Sequence, residues 1–112
     1  MRIKELKVCE LKNALGLETV TEEAADRVVC CGYAGDLLSW VMGRAPEGCV
    51  WVTVMSNVNV IAVASLADVG CVLLAEGAEL DAAALEKARE QKINVYRSPL
   101  PVFDLCAALA SL

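Results

Sequence analysis

The stretch on which the fold turns is Gly48-Cys-Val-Trp-Val-Thr-Val-Met-Ser-Asn-Val-Asn-Val-Ile-Ala-Val-Ala-Ser-Leu-Ala67. It runs for twenty residues without a charge, long enough to cross a bilayer as one helix. Its interior argues against that reading. Cys49 to Met55 are β-branched or aromatic at most positions, the composition of a buried strand. Ser56, Asn57 and Asn59 would then put three polar groups at the middle of the supposed span. A buried strand, a polar cap supplied by Ser56 and a buried helix from about Val58 to Asp68 fit the same residues, so no membrane span is expected.

Working outward, Arg27 to Tyr33 has a Val-Val-Cys-Cys centre and reads as a strand buried on both faces. Gly35 and Asp36 end it, with Asp36 capping a helix over Leu37 to Met42. On the other side, Gly70 to Ala75 is a further apolar strand. Asp81 then caps a helix whose stripe of Ala84, Leu85 and Ala88 lies beside a run of charges. Ile93 to Tyr96 reads as the last strand, Ser98 to Pro101 as a turn and Val102 to Leu112 as a final helix. Toward the N-terminus, Val8, Leu11 and Leu15 recur at helical spacing before Gly16, and Leu17 to Val20 forms a brief strand. Lys7 to Leu15 is read as that first helix, and Met1 to Leu6 receives no element. From Arg27 onward strand and helix alternate, which predicts an α/β fold: one domain over residues 1–112, a layered sheet of about five mainly parallel strands with helices on its faces.

Composition bounds the function. The 112 residues are 57% hydrophobic and 22% charged, which excludes disorder. Ten basic against fifteen acidic residues give a net charge of −5, the wrong sign for a domain that grips phosphate backbones, so no nucleic acid is expected as a partner. Met1 to Lys7 lacks a continuous apolar run, so the expected location is cytoplasmic and the six cysteines are expected to be thiols. No Cys-x-x-Cys pair and no histidine occurs, which removes the usual zinc spacings and every Ser-His or Cys-His dyad. Neither a metal nor a cofactor is expected, and Cys30, Cys49 and Cys71 read as small apolar fillers in strands.

Between Val28 and Ala75 only Asp36, Arg44, Glu47 and Asp68 are charged. The two helices in that span are apolar nearly all round and need cover on both sides. A homo-oligomeric interface, most simply a dimer, is therefore expected at Leu37, Trp40, Val41, Val60, Ile61 and Ala64. Trp40 and Trp51 read as core or interface anchors.

In open α/β sheets ligands bind beyond the carboxyl ends of the strands. Applied here, that rule selects Asp36 and Ser39, then Ser56, Asn57 and Asn59, then Arg97 and Ser98 as candidate ligand contacts, with Glu76 and Gly77 at the same edge. Asp36 and Ser56 are also accounted for as caps, whereas two amides flanking Val58 exceed what one cap requires. Arg97 is the one cation at this edge, and a small anionic ligand would need it. No paired carboxylates, activated nucleophile or Gly-rich phosphate loop is present, so an enzyme is not expected.

Four segments, Gly32-Tyr-Ala-Gly-Asp-Leu-Leu-Ser-Trp-Val-Met-Gly43, Trp51-Val-Thr-Val-Met55, Asn57-Val-Asn-Val-Ile-Ala-Val-Ala64 and Leu73-Leu-Ala-Glu-Gly77, together resemble the DRTGG domain family. The likeness extends from about Val8 to Leu112. Asp26-Arg27 is present, but Cys30 and Cys31 stand where that family more usually has small or hydroxyl residues. The resemblance implies a fold similar to the N-terminal domain of HPr kinase/phosphorylase and a regulatory or scaffolding role. Such domains sit beside CBS domains in regulatory segments of pyrophosphatases and phosphotransacetylases, and stand alone near iron-only hydrogenases in anaerobic bacteria. It also implies a dimerising element that works with a protein partner, adenine nucleotides going to the CBS domains. An alternative is a sensor for a nucleotide or phosphorylated metabolite. Free-standing members carry a serine-kinase label, but this chain has no Gly-Lys pair to build a triphosphate loop.

Overall fold

The computed structural model describes all 112 residues. In chain order the elements are β1 (Arg2–Lys7), α1 (Val8–Leu15), β2 (Glu18–Thr21), β3 (Val28–Ala34), α2 (Leu38–Arg44), β4 (Val50–Thr53), α3 (Val58–Leu66), β5 (Cys71–Leu74), α4 (Ala82–Glu90), β6 (Val95–Arg97) and α5 (Val102–Ala110). They form one six-stranded sheet in the order β1-β3-β4-β5-β6-β2. The four central strands are parallel, and β1 and β2 close the two edges antiparallel.

The helix layers follow from that order. β3 to β6 are laid down one beside the next without reversal, so three crossovers of one hand bring α2, α3 and α4 to the same face. Val41, Trp51, Val60, Ile61, Ala64, Leu74 and Ala84 join in the core on that side. The opposite face is left to α1 and α5, which bury Val8, Leu11, Leu105 and Leu109 against Val50, Val52, Leu73 and Tyr96. Every residue of β4 and β5 is buried, as a strand covered on both faces requires. The uncharged twenty-residue stretch is thus β4 and α3, and no helix is long and apolar enough to cross a membrane.

The sheet has six strands where five were expected, the addition being β1. Its two apolar residues, Ile3 and Leu6, are three apart, which breaks the alternation that marks a strand. A register shift between Arg2 and Leu6 in the pairing with β3 lets both pack against the same core cluster. β3 is not buried on both faces either. Val29 is buried, but Val28 is 47% exposed and Cys30 and Cys31 are half-buried, because β3 lies next to the edge strand.

Two caps also differ from expectation. Asp36 does not cap α2, whose N-cap position is Leu37 without a side-chain bond. At α3 the cap is Asn57, whose Oδ1 accepts from the Asn59 N–H at 2.9 Å, and not Ser56. Asp81 caps α4 as read, accepting from the Ala84 N–H at 2.8 Å. Gly70, just before β5, allows a close approach: a Cβ there would collide with Val29 Cγ1.

Candidate functional site

The carboxyl edge of the parallel strands gathers the residues singled out above, and Asp36, Arg97, Ser98 and Glu76 turn out to hold the edge together. Asp36, after β3, accepts through Oδ1 from the Thr53 hydroxyl at 2.7 Å and from the Val54 N–H at 3.0 Å. Trp51 Nε1 donates to the Gly35 carbonyl at 2.9 Å. These bonds fasten the β3–α2 loop to the end of β4. Asp36→Ala leaves the Thr53 hydroxyl and the Val54 N–H without that acceptor. Charge-assisted bonds of this sort, discounted for exposure, point to a loss of about 1–2 kcal/mol in urea unfolding.

Arg97, at the end of β6, is not a free cation. Nη1 lies 3.0 Å from Glu18 and 3.3 Å from Glu79, while Nη2 and Nε donate to the carbonyls of Gly77 and Ala78. Ser98 is buried, and its hydroxyl accepts from the Leu100 N–H at 3.1 Å. Ser39 and Asn59 are exposed, and Ser56 is half-buried with its carbonyl accepting from the Asp81 N–H. Between β5 and α4, Glu76 and Gly77 form a tight turn with φ of 60° and 70°, closed by the Ala78 N–H to the Ala75 carbonyl. The Glu76 carboxylate reaches across to accept from the Val102 N–H at 2.9 Å, so it caps α5.

The candidates therefore share one edge but enclose no common cavity; of the molecule's three cavities, only the groove beside β2 takes one of them, Arg97, into its lining. Topology gives the reason. The ligand crevice of doubly wound sheets opens where strand order reverses and helices depart to opposite faces. In this chain β3 to β6 run in unbroken order, with all three crossover helices on one face.

The interface expectation divides in the same way. Val41, Val60, Ile61 and Ala64 are fully buried inside the chain's own core, so they cannot contact a second copy. This corrects four of the six positions, the reason being that α2 and α3 turn these residues toward the sheet. Leu37 and Trp40 remain on the surface, 54% and 51% exposed, joined by Met42 at 43% and by Val58 at the start of α3. The Arg44 guanidinium lies 3.9 Å above the Trp40 ring, so the helix presents an aromatic-cation pair outward.

All six cysteines are free thiols. Burial pushes the Cys49 thiol up to about 12, and burial also raises Cys71, so both stay protonated and unreactive as core fillers. Cys31 is raised by partial burial and then by neighbouring Cys30.

A parallel four-stranded centre with antiparallel edges and helices on both faces defines an α/β domain with a DRTGG-like fold. The comparison that shows this is the crystal structure of the CBS and DRTGG domains of the regulatory region of Clostridium perfringens pyrophosphatase, complexed with its activator diadenosine tetraphosphate. This chain is similar to it with a TM-score of 0.77 at 15% identity, over 95% of its own length and 47% of the other chain, so it spans about half of that neighbour. A scan against protein-family models finds no match, and a search of curated proteins finds none.

Proposed function

We propose that this chain is a non-catalytic regulatory or scaffolding module that pairs with a second copy of itself through the outer face of α2 and the start of α3. The observation that carries the reading is the exposure of Leu37, Trp40 and Met42 within six residues, in a segment nearly free of charge. Apolar surface gathered in this way favours burial against another surface, and an aromatic beside an arginine is a common centre for such contacts. The fold it shares with the regulatory region of a pyrophosphatase supports a regulatory role in a metabolic system. Light scattering of the purified protein is expected to give twice 11.9 kDa at micromolar concentration. Trp40→Asp is expected to halve that mass and to lower the unfolding midpoint only by what self-pairing contributes, so that the variant's midpoint no longer rises with protein concentration. A monomeric wild type, or a dimer indifferent to Trp40→Asp, removes the reading.

A second reading, a nucleotide sensor, is favoured by the activator in the neighbouring structure. It meets an edge whose arginine is already engaged by two carboxylates and two carbonyls. Thermal unfolding with diadenosine tetraphosphate separates the two, since a ligand at a hundred times its dissociation constant adds about 2.7 kcal/mol. A raised midpoint supports the sensor, and an unchanged one leaves the dimeric module alone in front.

A further inference from the structure

α5, Val-Phe-Asp-Leu-Cys-Ala-Ala-Leu-Ala, carries a single charge, Asp104. Leu105 and Leu109 turn to the core, while Phe103, Ala107 and Ala110 recur at i, i+4 and i+7 as one exposed stripe on the outside. Phe103 is 82% exposed, more than any other large apolar side chain of the protein. A lone ring in water is unremarkable on a surface, but this one stands on the same helix as a hole of its own size.

The hole is a pit of about 160 Å³ beside the C-terminal half of the stripe. Pairing with β4 puts Gly32 and Ala34 on the face shared by Val50 and Val52, so the floor beneath α5 holds almost no side chain. Leu109 and Ala110 of α5 form one wall, and Ile3 of β1 contributes to the other. No charged residue lines the pit, and a water molecule there finds few polar partners. Apolar cavities of about 150 Å³ take up a benzene ring, so a phenyl side chain fits.

We infer that α5 is a second self-pairing surface, on which two copies pack their α5 helices antiparallel about a two-fold axis near Cys106 and Ala107, each inserting Phe103 into the other's pit. About that axis position 103 of one copy lies opposite position 110 of the other, so knob and hole meet twice and the contact closes. Ala107, at the crossing, lets the helices approach closely. Charge agrees with this partner. Asp104, next to the knob, arrives at the other copy's β1, where Arg2 and Lys4 flank the pit residue Ile3 and Glu5 stands beyond Lys4. Asp104, Arg2 and Lys4 are all exposed and none is in an ion pair. A small apolar molecule would fill the pit but leave Phe103 in water. α5 lies on the opposite face of the sheet from α2, so this contact joins copies without competing with the pairing proposed above. One aromatic per copy among alanines buries less than a standard interface of about 1,200–2,000 Å², so the α5 contact forms at higher protein concentration than the α2 contact.

The test is sedimentation velocity of the full chain from micromolar to millimolar concentration, in the wild type and in a Trp40→Asp background that removes the α2 contact. In that background the mass is expected to rise from 11.9 kDa to twice that value as concentration increases. Phe103→Ala removes the knob and Ala110→Leu fills the pit from its rim, and each is expected to weaken the association at least tenfold. Both positions are exposed, so the variants keep their fold, which thermal unfolding checks. An equimolar mixture of the two restores one knob in one open pit and is expected to associate more tightly than either variant alone, which general apolar stickiness does not produce. A wild-type dimer indifferent to Trp40→Asp but lost in Phe103→Ala supports this surface and removes the α2 reading. A Trp40→Asp chain that stays monomeric to millimolar concentration, self-association unmoved by Phe103→Ala, or a mixture no tighter than its components would each overturn the assignment.

Discussion

Ile61→Asp is expected to unfold the chain. Ile61 is fully buried in the core between the sheet and the α2–α4 layer, among Val41, Trp51 and Ala64. Removing its aliphatic side chain alone costs about 2–5 kcal/mol. The carboxyl group put in its place has no partner there and is either charged at great cost or held protonated, which adds a further few kcal/mol. The sum approaches the whole stability of a small domain, about 5–15 kcal/mol. Circular dichroism at 25 °C should show loss of the native spectrum, or the protein should appear only in the insoluble fraction. The contrast with Trp40→Asp is the informative part. Both positions lie on apolar helices on the same face, yet one change destroys the fold and the other is expected only to separate two copies. A folded, soluble Ile61→Asp variant would show that α3 is not packed as described.

Trp51→Ala is expected to cost about 3–5 kcal/mol, the range for emptying a buried aromatic site. Trp51 is the largest fully buried side chain, and its indole N–H secures the Gly35 carbonyl at 2.9 Å. The variant therefore loses both core volume and one of the ties that hold the β3–α2 loop. Urea unfolding followed by circular dichroism measures the cost. Trp51→Phe, which refills most of the volume without the N–H, should recover more than half of it. Fluorescence checks the assignment independently, since Trp40 and Trp51 are the only tryptophans. Iodide should leave Trp51 untouched at every concentration, whereas Trp40 should become quenchable once dilution separates the two copies. A loss below 1 kcal/mol would contradict the packing of β4.

The central strands and their helices were legible because burial on both faces leaves an unmistakable trace. Val50 to Val52 and Cys71 to Leu74 are continuous apolar runs, and each gives way to a helix whose start is polar. Of the edges, β2 was read within one residue, but β1 was missed because a register shift hides its period. Which residue caps a helix was also decided by geometry beyond the local pattern, since Asp36 serves the neighbouring strand and leaves α2 uncapped. The apolar content of α2 and α3 was visible in the sequence, but the side facing the sheet was not. Hence Val41, Val60, Ile61 and Ala64 went into the core, while Leu37 and Trp40 stayed outside. Arg97 illustrates the same limit at the candidate site. Its neighbours Glu18 and Glu79 come from a distant strand and a loop, and a sequence read locally cannot bring them together.

The strand order also governs how the chain can reach this state. β1 and β2 are neighbours in sequence but stand at opposite borders of the sheet, with α1 between them. The first border strand pairs with β3, but the second must wait for β6, which begins at Val95. Residues 2–21 therefore act as a belt with a late buckle: Glu18 meets Arg97 only after the four parallel strands have been made. Pairings of such large sequence separation slow the search for the native state. On a ribosome, β2 would emerge and stay unmatched until the residues of β6 have been synthesised.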